Sequence, residues 1–379
     1  MSSRDGQAFG IQIFGESHGP VVGVTLDGLP AGIPLDEERI AAFLKRRAAA
    51  GSPIATGRKE EDLPHIVSGL KDGFTTGYPL TALFYNKDAH SADYSFLPDC
   101  PRPGHADYPA LVRSGGYDDL RGSGHHSGRL TLPYAFAGAV AIQVLQLLGM
   151  EVYSHVVSVG DVKDDSLDPL CPDTAALQAA LTRPVPTLNE AASQKMFDAI
   201  LAAKAEGDSL GGVVEAVCLG APAGLGAPWF DGVEAVLAKQ FFSIPAVKGV
   251  EFGAGFEAAA MQGSQYNDPY EYKNGSVQTT GNNAGGLLGG LTSGMPVVAR
   301  VAFRPTPSIS KAQKTVSLSA VQNGSEANKT LQVKGRHDPC VAVRGVPVVE
   351  SALAIGILEL WLRQNGDKTF SGGKPHAEE

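Results

Sequence analysis

Histidine and arginine recur along this chain at spacings that suit proton transfer beside a bound anion. Residues 102–129, RPGHADYPALVRSGGYDDLRGSGHHSGR, hold His105, His125 and His126 together with Arg102, Arg113, Arg121 and Arg129. An imidazole titrates near neutral pH, and a guanidinium grips a carboxylate or phosphate through two parallel hydrogen bonds. Ser17-His18 sits between two glycines in the pentapeptide 15–19, and Arg336-His337-Asp338 is followed directly by Pro339. Arg304-Pro305-Thr306-Pro307-Ser308 is a stiff, positively charged turn. Taken alone, these residues suggest a site for a multiply anionic small molecule. Arg47, Arg102, Arg129 and Arg336 would hold its anionic groups, and His18, His105 and Asp338 would move protons. That reading requires convergence in space. A solvated loop, a plain turn and a structural ion pair are the alternatives for the three stretches.

Residues 102–129 show no sustained helical or alternating apolar period, so they read as an irregular segment rather than a core element. Around them, residues 9–14 and 21–29 read as strands. Asp36 caps a helix predicted over 36–50, with Ile40, Phe43, Leu44 and Arg47 on one stripe. A guanidinium on that buried side needs an anionic partner, unless the side chain snorkels past the helix end. Strands are expected over 65–70 and 79–85. The run 132–150 is apolar nearly all round and predicts a buried helix, whose N-terminus would attract anions. Further strands are expected over 151–162, 211–219, 245–253 and 295–303. Helices are expected near 174–181, over 190–206 and 231–242, and from Pro347 to about 364. Residues 263–280 read as a mobile loop. The paired glycines of 282–290 suggest backbone passing close to something flat, such as a cofactor ring, or simply packing turns. No GxGxxG follows a strand, so a Rossmann fingerprint does not explain them.

The chain has 379 residues, 43% of them hydrophobic and 19% charged, which is an ordinary globular composition. Its net charge of −9 argues against a general nucleic-acid binder. No uninterrupted apolar run is long enough for a membrane span, and the N-terminus carries no signal-like apolar core. A cytoplasmic protein is expected. The four cysteines are scattered without CxxC, so neither a disulfide framework nor a zinc site is expected. Adjacent His125 and His126 point in different directions in most backbones, so no metal is assigned there. The polar clusters are spread from about residue 16 to 338. One site built from them requires a single interlocked domain, taken as residues 1–364, with 365–379 as a flexible tail.

GESHG at 15–19, RPGHADY at 102–108, the RG-rich segment ending in SxR at 121–129, SIPAVKGVEFG at 243–253, NNAGGLLGG at 282–290 and GRHDPC at 335–340 occur in that order. The set resembles chorismate synthase over nearly the whole chain. The resemblance implies an α+β fold, a layered β-α-β sandwich with helices packed between antiparallel sheets. It implies a carbon–oxygen lyase that eliminates phosphate from 5-enolpyruvylshikimate 3-phosphate in an anti 1,4 sense, giving chorismate. It also implies reduced FMN (FMNH2) as cofactor without net redox change, a homotetramer, and an external flavin reductase or other reductant. By the same resemblance His18 protonates the reduced flavin, His105 is the second catalytic histidine, and Asp338 assists proton removal. Ser17, Arg47, Arg58, Arg102, Ser127, Arg129 and Arg336 match substrate-facing positions. His125, His126, Ser127, Pro245, Ala246, Gly289, Arg304, Pro305, Thr306, Pro307, Ser308 and Arg336 match positions around the flavin. The chain departs from the family where an Arg-Ser pair has become His125-His126, where Pro53 replaces an arginine, and where Pro245 replaces a frequent asparagine. Two other readings are an FMN- or anion-binding homologue without turnover, and a bifunctional form that oxidises NAD(P)H.

Overall fold

The computed structural model describes residues 3–48, 52–55, 61–87, 94–273, 275–333, 338–366, 370–371 and 374–375. Two five-stranded sheets form its outer layers. The first runs Arg4–Asp5, Gly10–Gly15, Val21–Asp27, Leu80–Tyr85, His65–Ser68 in spatial order. The second runs Val247–Phe252, Val297–Phe303, Gly212–Leu219, Glu151–Val159, Val162–Lys163. Every neighbouring pair is antiparallel. Between the sheets lie the helices Thr131–Leu147 and Val341–Asn365, the first against Val21–Asp27 and the second against Gly212–Leu219 and Glu151–Val159. The chain therefore has the expected α+β sandwich, with helices between antiparallel sheets.

Val22, Val24 and Leu26 are fully buried, as strand alternation requires. Helix Glu37–Ala48 buries Ile40, Leu44 and Arg47, and Asp36 Oδ1 accepts the Arg39 amide at 3.0 Å as its cap. The two central helices cross at Gly138, where an added Cβ would meet Ser351 at 2.1 Å. Only a bare Cα permits that approach. The apolar windows of both helices are 83% buried inside the molecule, so they are core helices. Glu359 on the last helix accepts the amides of Gln7, Ala8 and Phe9 at 2.7, 3.1 and 2.5 Å.

Several elements differ from expectation. The last helix begins at Val341, six residues before Pro347, and carries the proline inside. Proline favours a first helical turn, which is why the sequence suggested a start there. Residues 263–280 form a short helix, Gly263–Tyr266, and a hairpin of Tyr270–Lys273 with Ser276–Thr279. An Asn274-Gly275 dipeptide flanked by alternating side chains is the hairpin signal the loop reading passed over. The irregular segment contains 3-10 turns at Arg121–His126 and Gly128–Leu130 and one α-helix, Asp107–Ser114, ended by Gly115 in the left-handed region. Two turns are too short to show a period. The tail falls partly outside the described residues. Its described part pairs Phe370–Ser371 with Lys374–Pro375.

One buried charge cluster lies in the second sheet. His155 is 1% exposed, with Nε2 3.0 Å from Glu215 and Nδ1 3.5 Å from Asp164. Burial opposes its charge, but the two carboxylates outweigh it and raise its pKa to about 9. A pKa above the unfolded value stabilises the fold at low pH, and that stabilisation is lost as pH rises from about 6.5 through about 9. Thermal stability of the parent should therefore fall between pH 6.5 and 9, and that of His155→Gln should fall less. Parallel melting curves against pH would contradict the assignment.

Candidate active site

The first sheet, the central helix and the last helix present their ends on one side of the sandwich. Strand pairing sets Val21 beside Tyr85, so the turn 15–19 and Asn86 meet at the same sheet end. Asn86 Nδ2 donates to the Gly19 carbonyl at 2.8 Å and to that of Glu16 at 3.2 Å. Its Oδ1 accepts from Arg129 Nε at 3.0 Å. One asparagine thus ties the His18 turn to the start of helix Thr131–Leu147.

The arginine side of the site is built on that helix start. Arg47 and Arg129 are 4% and 6% exposed, too buried to be snorkelling surface cations. Asp62 bridges them, accepting from Arg47 Nη1 at 3.3 Å and from Arg129 Nη1. Arg47 also donates to Thr131 Oγ1 and to the Gly128 carbonyl, both at 2.9 Å. Arg344, in the first turns of the last helix, donates to the Arg47 carbonyl at 2.9 Å and pairs with Asp338 at 2.6 Å. Burial, with the neighbouring Arg344, lowers the Arg47 pKa to about 9, so it stays cationic at neutral pH and an arriving anion would relieve it. Among the described residues Arg129 Nη2 has no hydrogen-bond partner although it is buried. Two helix N-termini, at Thr131 and Val341, add their positive ends.

The histidine side is built on residues 94–107. Arg102 is 4% exposed and grips Asp107, with Nε to Oδ2 at 2.8 Å and Nη2 to Oδ1 at 2.7 Å. Arg102 also donates to Ser123 Oγ at 2.9 Å and to Ser308 Oγ at 3.2 Å. His105 Nδ1 lies 2.8 Å from Asp107 Oδ1 and 3.2 Å from Arg102 Nη2. An ionised carboxylate only accepts, so Nδ1 carries the proton, and the arginine contact is a close approach of two donors. Burial lowers the His105 pKa, and the Asp107 hydrogen bond only partly opposes it, with Arg102 and Arg304 adding repulsion. Burial alone would raise Asp107, but the bonds from Arg102 and His105 hold it well below the carboxylate range. His105 is therefore a neutral imidazole with Nε2 as its basic nitrogen. Tyr94 lies between the two histidine motifs, edge-on to His18 at 5.3 Å and under the Arg102 guanidinium at 5.4 Å.

The expected residues are thus partly gathered. His18, Ser17, Arg102, His105, Ser127, Arg129, Arg47 and Asp338 belong to this linked set, with Ser127 accepting the Arg129 amide at 3.2 Å. Arg304 to Ser308 adjoin it: Pro307 packs on Gly104, and Arg304 N donates to the Ala246 carbonyl at 3.0 Å. Arg102 differs from a free anion clamp, since Asp107 already occupies its fork. Pro245 and His126 are exposed. Gly289 sits at the tip of the hairpin Leu287–Leu288 with Leu291–Thr292, which bridges to Gly226. Its glycine neighbours accommodate the chain's own backbone, Gly285 against Gly253 and Gly290 against Ala227, so close approach to a ring is not what requires them. Arg58 and Arg336 lie outside the described residues. Asp62, Asn86, Asp107 and Arg344 were not singled out by sequence reasoning. Asp107 alone had a signal, two residues after His105 within RPGHADY.

Buried arginines and a carboxylate-held imidazole stand together at one end of an α+β sandwich of two antiparallel sheets. The family profile described as chorismate synthase matches residues 9–362. A chorismate synthase of Korarchaeum cryptofilum is 46% identical over 364 residues, covering 94% of this chain and 98% of its own. One from Thermococcus gammatolerans is 44% identical, covering 95% and 97%. A solved structure titled as a crystal structure of chorismate synthase superposes with a TM-score of 0.76 at 28% identity, covering 96% of this chain and 94% of that one. The chain belongs to the chorismate synthase family, whose enzymes form chorismate.

Proposed function

We propose that the protein converts 5-enolpyruvylshikimate 3-phosphate to chorismate and phosphate by anti 1,4-elimination, with reduced FMN as cofactor. The observation that carries this reading is the Nη2 of buried Arg129, beside Arg47, which has no hydrogen-bond partner among the described residues. A buried guanidinium nitrogen without a partner is costly unless a ligand completes it. A substrate with one phosphate and two carboxylates brings a charge of about −4, which these cations and the two helix ends offset.

The residues present also fit a flavin. Thr306 Oγ1 is buried with no partner among the described residues, and its segment lies against Arg102 and His105. Residues 304–308 and Ala246 would hold the cofactor, and reduced FMN, when bound, supplies transient electron density to the substrate ring. Arg129 and Arg47 orient the anionic groups and meet the charge that grows on the departing phosphate. His18, held beside Tyr94, carries a proton at the flavin side. His105 accepts or returns a proton at Nε2, its orientation set by Asp107. Asp338, steadied by Arg344, assists removal of the ring proton. A homotetramer and an external source of reduced flavin belong to the same proposal.

Anaerobic incubation with this substrate and chemically reduced FMN, followed by chorismate absorbance and phosphate release, tests it. Absence of both products would overturn it, and oxidation of NAD(P)H with FMN alone would favour a bifunctional form. Asp338→Ala is expected to lower turnover by about 100-fold with flavin affinity nearly unchanged. Parent-like turnover would remove Asp338 from the mechanism.

A further inference from the structure

Residues 121–126 hold three successive left-handed positions, Gly122, Ser123 and Gly124, at φ 59°, 75° and 53°. Such a loop needs outside support, and it finds it on the turn that carries His18. Gly122 packs so tightly there that an added Cβ would lie 2.2 Å from the His18 ring. The Gly124 carbonyl accepts the Ser17 amide at 3.1 Å. His125 Nδ1 then reaches the Gly15 carbonyl at 2.9 Å, and its Nε2 lies 2.6 Å from Ser3 Oγ. Ser3 is itself anchored, because its carbonyl accepts the Ile13 amide at 2.9 Å. One imidazole therefore spans the loop, the end of strand Gly10–Gly15 and the N-terminal segment.

We propose that His125 is a positioning residue, a clamp that fixes the turn 15–19 against the loop 121–126 and so sets where the His18 imidazole stands. This assignment rests on the reading of His18 as the proton carrier of a chorismate-forming site. The Gly15 carbonyl can only accept, so Nδ1 carries a proton. The Ser3 hydroxyl donates to Nε2 when the ring is neutral and accepts from it when the ring is protonated. Both bonds survive either state, which suits a mechanical clamp rather than an acid or base. Both ring nitrogens are committed to the chain's own groups, so His125 acts on the flavin through His18 and does not contact it by a nitrogen.

The test uses His125→Ala and His125→Asn in the full chain. The Asn amide nitrogen stands where Nδ1 stands and donates to the same carbonyl. Amide hydrogen exchange at Ser17 and turnover with chemically reduced FMN are both measured. In His125→Ala, Ser17 exchange should rise roughly tenfold and kcat should fall roughly tenfold, with KM changed much less. His125→Asn should recover most of both. Unchanged Ser17 exchange in His125→Ala, or an Asn variant no better than Ala, would overturn the clamp. If the parent itself forms no chorismate, the functional reading fails, and the exchange data still decide the clamp.

Discussion

Asp107→Asn is expected to lower chorismate formation by about 100-fold in a chain that still folds. Asp107 is 2% exposed, and its two oxygens serve Arg102 and the Nδ1 proton of His105. An amide keeps one accepting oxygen and adds a donor. Arg102 can only donate, whereas the imidazole can change tautomer, so the amide turns its nitrogen toward His105 and leaves its oxygen for Arg102 N and Nε. The imidazole then accepts at Nδ1 and moves its proton to Nε2, the nitrogen that must accept. Circular dichroism would check the fold and chorismate absorbance the rate, and parent-like turnover would show that Asp107 does not set the tautomer. Asp107→Ala should do more. It leaves the Arg102 charge buried without its partner, which costs about 3–5 kcal/mol and would appear as a lower melting temperature.

Arg129→Lys should raise KM for the anionic substrate by roughly 30-fold, the equivalent of about 2 kcal/mol for one charge-assisted contact. Arg129 uses Nε on Asn86 and Nη1 on Asp62, leaving Nη2 for a ligand. A lysine ammonium is a point charge without that planar fork, so it can keep Asp62 but cannot also hold Asn86 and the ligand. Competition by inorganic phosphate should weaken in parallel. An unchanged KM would mean that the unpaired nitrogen is not where the substrate binds.

Much of the frame was legible because it is periodic. The stripe Ile40, Phe43, Leu44, Arg47 announces the helix and leaves Arg47 either buried against an anion or snorkelling past the helix end, and its burial decides for the first. The anion itself was not legible. Asp62 lies in a polar stretch with no period, held at φ 52°, and only the fold brings it to Arg47. Asp107 stood in plain view inside RPGHADY, yet a short helix that turns its side chain back onto Arg102 leaves no mark on the sequence. Arg344 was hidden for another reason. Pro347 resembles a helix start, so no helix is predicted for the turn before it, which carries Arg344. The glycine pairs are ambiguous in sequence, since backbone packing and a bound ring ask for the same residue, and only the fold shows that packing accounts for Gly285 and Gly290.

The hydrogen bonds that Glu359 accepts from the amides of residues 7–9 carry a consequence for the order of assembly. The partner of the segment that enters strand Gly10–Gly15 is made some 350 residues later, in the same helix whose opening turns supply Arg344. Contacts this distant in sequence form late, after the loop between them has closed. A chain still emerging from the ribosome can lay down the strands that flank His18, but it cannot seat them. The arginine cluster is completed only when the last helix, Val341–Asn365, has been made and slides between the sheets.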